Sequence, residues 1–207
     1  MDSNWAAEHL QTIRTLMERS AVYRRALAPI MLFVGVLGVA AAATGLLFHI
    51  DSVRSFCGLW LGTAVVAVAG AFLIARQQAL KDKESFWSPP TRRVGQALLP
   101  PLLVGMCLGS LPLFMAHYVN AAIISSLLWI LFYGCALHAA GFFMSRGIKL
   151  FGLLFMISAC GLFYVFFLGW TEGFDFNTHL LMGFFFGVLH LAYGAYLYLT
   201  ERGKNAA

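Results

Sequence analysis

Apolar residues in this chain fall in six long runs, neither alternating as in a strand nor confined to one face as in a soluble amphipathic helix. The runs cover about 27–50, 56–75, 94–115, 121–144, 150–170 and 180–199, each near the ~20 residues that carry a helix across a bilayer core of about 30 Å. They predict an all-α fold, a polytopic transmembrane helix bundle of six spans filling residues 27–199 as one domain. Ahead of it, residues 1–26 read as an amphipathic helix at the membrane surface. Leu10, Ile13, Met17 and Ala21 fall on one face, with Arg14, Glu18 and Arg25 on the other. No apolar core with a cleavage site precedes the first run, so that span is expected to direct insertion. Residues 200–207 read as a polar tail.

Small residues and prolines mark how the spans meet. Gly58 and Gly62 form a small-x-x-x-small pair in the second run, and Gly105, Gly109, Gly134, Gly141, Gly187 and Gly194 recur at one- to two-turn spacing in later runs. Such positions let helix backbones approach closely, so all eight are expected to serve packing. Pro100, Pro101 and Pro112 remove backbone donors and predict a kinked, interrupted third span, a feature shared with helices that line transport paths. Between the second and third runs lies the longest polar segment, 76–93, where Pro89-Pro90 predicts a turn; SRGIK, from Ser145, predicts a second tight basic turn.

Composition agrees with the pattern: 60% of residues are hydrophobic and 11% charged, well below the charged share of a soluble domain. The net charge of +5 is explained by position. Thirteen of the fourteen Lys and Arg residues flank the spans on one side, leaving Arg54 alone on the other. That bias predicts a multi-pass membrane protein with both termini in the cytoplasm, and removes any need for a nucleic-acid partner. The partners that remain are the lipid bilayer, a lipophilic small molecule, and a cytoplasmic protein meeting the N-terminal helix and the 76–93 segment, where Trp87, Arg92 and Arg93 are the candidate contacts. Cys57, Cys107, Cys135 and Cys160 stand singly in apolar runs and read as small buried hydrophobes.

Candidate chemistry is sparse. The runs hold no Asp, Glu, Lys or Arg, which disfavours a charge-coupled pump, and no HExxH, GxSxG or P-loop is present, which disfavours hydrolase and nucleotide-driven enzymes. His138 and His190 are the deep polar residues, flanked by Gly134, Cys135 and Gly141 in one case and by Gly183, Gly187 and Gly194 in the other. Small neighbours around a buried imidazole suit a haem b held by two axial histidines. Yet the two lie some five residues apart in depth, about 8 Å at 1.5 Å per residue, which favours interhelical hydrogen bonds instead. His49, His117 and His179 are expected at the opposite rim, where a zinc site would need an acid and has no ligand spacing to support it. Phe184, Phe185, Phe186, Tyr193, Tyr196 and Tyr198 form an aromatic stripe, read as bundle core and interfacial belt, with the floor of a quinone or lipid pocket as the alternative.

Three phrases, FWSPPTRR from Phe86, YGCALHAAGFFMSRGIKLFG from Tyr133 and HLAYGAYLYLTE from His190, resemble an uncharacterised family of bacterial integral membrane proteins, over most of the chain. The resemblance implies six spans in a bacterial inner (cytoplasmic) membrane but brings no activity, cofactor or catalytic residue with it. It also carries an association with small transcriptional regulators, which implies a sensor or stress role. The combined expectation is a non-enzymatic sensor, regulator or lipophilic-ligand binder. A small transporter or lipid-handling protein is the first alternative, and a haem- or quinone-binding redox protein using His138 and His190 is the second.

Overall fold

Inside a bilayer the backbone has no water to bond, so each apolar run must close its own hydrogen bonds, and helices do this residue by residue. The computed structural model describes residues 26–81, 83, 86–114, 120–168 and 177–205. Among these residues there is no strand. Helix α1 spans Ala26–Leu47, α2 Val53–Lys81, α3 Pro89–Ser110, α4 Ala121–Ala140 and α5 Arg146–Phe167. The last span is a composite of α6, Thr178–Met182, a π-helical stretch, Gly183–Val188, and α7, Leu189–Asn205. Six stretches are thus long and apolar enough to cross a membrane. The chain is a multi-pass helical bundle. The amphipathic helix expected over residues 1–26 lies outside the described residues except for Ala26, the first residue of α1.

Several expected boundaries move, each for a local reason. Pro89 and Pro90 start α3 rather than forming a turn. Ser88 is extended (φ −69°, ψ 157°), as the residue before a proline tends to be, and a proline in the first turn of a helix loses no bond. The SRGIK segment is likewise the beginning of α5, entered from an extended Ser145 (φ −68°, ψ 149°), and the reversal is made earlier, by Gly141–Phe143. Helix α3 is not broken at Pro100-Pro101; its α-helical part ends at Ser110 and Pro112 sits in a 3-10 turn, Leu111–Leu113. Helix α7 extends through most of the segment read as a tail, to Asn205.

Packing is set by glycine where backbones meet. Helices α1 and the α6–α7 span run antiparallel, with Gly45 against the His179 ring, Ala42 at Gly183, Val39 at Gly187, Gly35 at Leu191 and Leu32 at Gly194. A Cβ on Gly38 would stand 2.5 Å from the Phe186 carbonyl carbon and 2.7 Å from the Gly187 amide, space that no side chain can share. Helices α4 and α5 close in the same manner. Gly134 faces the Gly152 carbonyl, Gly152 faces the backbone of His138, and Gly141 faces that of Lys149, whose ammonium lies 3.8 Å over the Phe142 ring. On α3, Gly105 receives Phe132 and Gly109 receives the Trp129 ring.

Gly58 and Gly62 depart from the packing role expected of them. Both face outward, with nothing within 4 Å of where a side chain would begin. They lie on the outward side of α2, a helix that buries Phe56, Cys57 and Trp60 near one end and Ala79 near the other and meets the Phe33 ring of α1 at Gly70. Cys107 and Cys160 are also exposed rather than buried, whereas Cys57 is fully enclosed beside Ser125. Large apolar side chains cover the outside: Leu47, Leu199 and Phe114 are 76, 67 and 85% exposed. Lipid is the solvent for which such a surface is suited.

Gly38→Leu is expected to lower the melting temperature of the purified protein sharply, by the one to three kcal/mol or more typical of overpacking (about that range for a soluble core). Gly58→Leu should leave it within roughly 0.5 kcal/mol of the parent. Thermal unfolding in detergent, read by the loss of the monodisperse chromatographic peak, checks both.

Candidate functional site

The π-helical stretch determines the chemistry at the centre of the bundle. The Leu189 amide bonds the Phe184 carbonyl, five residues back, so the Phe185 carbonyl is passed over by the amide that an α-helix would have given it. A released carbonyl in a waterless core needs another donor. The donor is the ring of His190, whose Nδ1 lies 2.9 Å from the Phe185 oxygen. A carbonyl can only accept, so Nδ1 carries the hydrogen and Nε2 of the neutral ring is the acceptor. Tyr133 of α4 fills that role from across the bundle, its hydroxyl donating to Nε2 at 2.7 Å. His190 is completely buried, with Phe186 stacked on it and the edges or faces of Phe151 and Phe155 around it.

A second buried imidazole is one of the three histidines expected at the rim. His179, expected in a rim loop, lies in the first turn of α6 and is only 4% exposed. Asn177 caps that turn, accepting from the amides of His179 and Leu180 at 2.9 and 3.3 Å. The ring Nε2 donates to the Ile50 carbonyl at 3.0 Å, and Nδ1 accepts from the Trp60 indole at 3.3 Å. The absent side chain of Gly45 makes room for the ring. The signal that could have found it is Asn177, an N-cap residue two positions upstream, which pulls the start of the helix back over His179.

His138 has a different role. Its Nδ1 donates to the Lys149 carbonyl at 3.1 Å, tying the end of α4 to the first turn of α5. His138 and His190 share no partner, and the Nε2 lone pair of His190 is already engaged by Tyr133. A haem iron would have to displace that hydroxyl, so the donor set does not fit an axial pair. At the rim, His49 is exposed in a left-handed turn (φ 49°) and His117 lies outside the described residues. No group of three or more metal-binding side chains occurs among the described residues.

Beside this polar centre lies a cavity of about 740 Å³, within the range of small-molecule sites. It lies where α2 stands off the bundle: no residue between Trp60 and Ala79 is buried, and the intervening stretch is rich in Ala, Val and Gly, with Gly70 meeting the Phe33 ring of α1. Ala64, Ala67 and Phe72 of α2 form one wall; Met106 of α3, Tyr133 of α4 and Phe186 of the π-helical stretch form the other. Neither His138 nor His190 touches it directly, but Tyr133 and Phe186 belong both to its wall and to the surroundings of His190. Of the aromatic stripe, then, Phe186 lines a pocket, Phe185 is core, and Phe184, Tyr196 and Tyr198 face outward.

The candidate partner contacts lie at the end of the bundle that carries Arg76, Lys81, Arg146 and Lys149. Trp87 is 64% exposed, Arg92 and Arg93 are exposed on the first turns of α3, and Phe86 anchors the segment edge-on against Phe72 of α2. In comparisons with known proteins, the chain matches no family model, no curated protein and no solved structure.

The Tyr133–His190 bond is expected to be energetically coupled. A double-mutant cycle with Tyr133→Phe and His190→Leu, read from reversible unfolding in mixed micelles, should give an interaction of about 0.6–1.7 kcal/mol, the range of hydrogen bonds between membrane helices. His190→Leu alone should cost more than Tyr133→Phe alone, because it also strips the Phe185 carbonyl of its donor.

Proposed function

We propose that this chain is a non-enzymatic membrane protein that binds a lipophilic small molecule between α2 and the rest of the bundle, and that it acts as a sensor or regulator. The observation that carries the reading is the cavity of about 740 Å³ walled almost wholly by apolar side chains. Between Trp60 and Ala79 no residue of α2 is buried, although Gly70 meets the Phe33 ring of α1, so an occupant would be felt along the middle of that helix. Helix α2 leads along the chain, beyond Lys81, to the segment bearing Trp87, Arg92 and Arg93, which supports reading that segment as the partner surface coupled to the ligand site.

The same reading assigns the protein to a bacterial cytoplasmic membrane, as a member of the uncharacterised family that its phrases resemble. Both termini would be cytoplasmic, supported by the basic residues gathered at one end of the bundle. One observation favours transport or lipid handling as a second reading: Leu102, Gly105 and Met106, which follow Pro100-Pro101 within the next turn and a half, line the cavity. A helix with two missing amide donors is suited to rearrangement around a passing molecule.

Trp60 and Trp129 both line the cavity and report on its contents. With Trp5, Trp87 and Trp170 replaced by Phe, quenching of the remaining fluorescence by a brominated octadecane should saturate. Ala67→Phe, which fills the gap from α2, should weaken that quenching at least tenfold, and Gly58→Leu, on the outward side, should not change it. Linear, non-saturating quenching would reject a bound site. For topology, a fluorescent protein fused after Ala207 should fluoresce while alkaline phosphatase fused there stays inactive, and the reverse result overturns the cytoplasmic placement of the termini.

A further inference from the structure

The hydrogen-bond inventory of the cavity wall restricts what can bind there. Among the described residues, the lining side chains with hydrogen-bonding groups are Trp60, Thr63, Trp129 and Tyr133, and no Lys, Arg or His lines the wall. Every donor in that set is spent or covered. The Trp60 indole hydrogen goes to His179, and the Thr63 hydroxyl donates to the Leu59 carbonyl at 2.8 Å. The Trp129 indole nitrogen has no partner but is buried against Gly109. Tyr133 is committed by a longer chain of logic. The carbonyl of Phe185 requires hydrogen on Nδ1 of His190, which makes Nε2 an acceptor, which requires the Tyr133 hydroxyl to donate inward. Among the lining residues, what remains is acceptor capacity: the side-chain oxygens of Tyr133 and Thr63 each keep a lone pair after their own donated bonds. A ligand head that only accepts, such as a ketone, quinone, ester or carboxylate, would be desolvated without a partner, and a carboxylate would also lack a counter-charge.

We propose that the molecule recognised in this cavity is an uncharged lipid alcohol, a long apolar body with a single hydroxyl whose hydrogen is donated to the Tyr133 oxygen. The inference rests on the reading of the cavity as a ligand site and adds the class of head group that it selects. Tyr133 is the anchor because it stands where the apolar wall meets the polar centre of the bundle, and because Phe185, His190 and Tyr133 fix the direction of its hydrogen. The apolar body would lie along α2 from Trp60 to Leu73, a length of about 20 Å at 1.5 Å per residue.

The test compares 9,10-dibromo-octadecan-1-ol, its methyl ether and the corresponding fatty acid at neutral pH, as quenchers of the Trp60 and Trp129 fluorescence of the protein in phosphatidylcholine nanodiscs. The three share one chain and differ at the head. The alcohol is expected to bind about five- to tenfold more tightly than the ether, the effect of one net hydrogen bond, with the acid weakest. Tyr133→Phe should bring the alcohol down to the affinity of the ether. Saturable binding of alcohol and ether with equal affinity overturns the lipid-alcohol proposal while leaving the cavity a ligand site, as does an alcohol preference that survives Tyr133→Phe. Quenching that rises linearly for all three overturns both, since the cavity then holds only exchanging bilayer chains. Where Tyr133→Phe does not fold, the alcohol-to-ether ratio of the unaltered protein decides, and a ratio near one overturns the proposal.

Discussion

A backbone carbonyl that leaves its helix in the middle of a bilayer has to be met by protein, and the centre of this bundle is arranged around one such carbonyl. The π-helical stretch passes over Phe185, His190 turns its own ring back to supply the missing hydrogen, and the tautomer so chosen dictates what Tyr133 must do across the bundle. One register slip in a helix thereby sets the direction of a hydrogen bond on a different helix. His179 repeats the scheme in the opposite tautomer, donating through Nε2 to Ile50 and accepting at Nδ1 from Trp60. In both, the ring spans a backbone carbonyl and an aromatic donor, so neither nitrogen is left bare in the apolar interior.

These junctions depend on close approach of the helices that carry them. Gly38 and Gly187 bring α1 against the π-helical stretch, Gly45 admits the His179 ring, and Gly134 and Gly152 bring α5 against α4, where Tyr133 begins its reach. Helix α2 buries no residue along its middle, where its close approach is Gly70 against the Phe33 ring of α1. Its small residues give it little to bury, its own glycines Gly58 and Gly62 point outward, and it is secured mainly by the Phe56, Cys57 and Trp60 group that packs near His179. The bundle thus combines a tightly meshed core with one helix standing away from it, and the cavity is the space between the two.

The spans were legible in the sequence because lipid imposes a length and a composition on each of them, and the observed helices fall on the expected runs to within a turn or two. Their ends were less legible. Pro89-Pro90 and SRGIK each combine turn-forming residues with a helix start, and which of the two prevails depends on the cap and on the neighbouring helix rather than on the dipeptide. The packing glycines divided in the same way. Gly105, Gly109, Gly134, Gly141, Gly187 and Gly194 meet neighbours, while Gly58 and Gly62 do not, because spacing along one helix does not say which face another helix will take. Of the candidate site, His190 was visible as a deep imidazole among glycines. The π-helical register that gives it a purpose was not, since nothing in GFFFGV distinguishes a five-residue hydrogen bond from a four-residue one.

The cavity was illegible for a more general reason. An apolar run rich in Ala and Val reads equally well as a packed span and as one that leaves a gap, and only the length of the side chains opposite decides. Here Phe132, Tyr133 and Phe186 extend toward α2 but are held back by other obligations: Phe132 sits on Gly105, Tyr133 is tied to His190, and Phe186 is stacked on the same imidazole. Two of the aromatic side chains large enough to fill the space, Tyr133 and Phe186, are therefore ones that hold the polar centre together. Closing the cavity from that side would mean releasing His190 and, with it, the Phe185 carbonyl. The gap beside α2 is in this sense a consequence of the same carbonyl that organises the core, and its wall inherits its hydrogen-bond polarity from there.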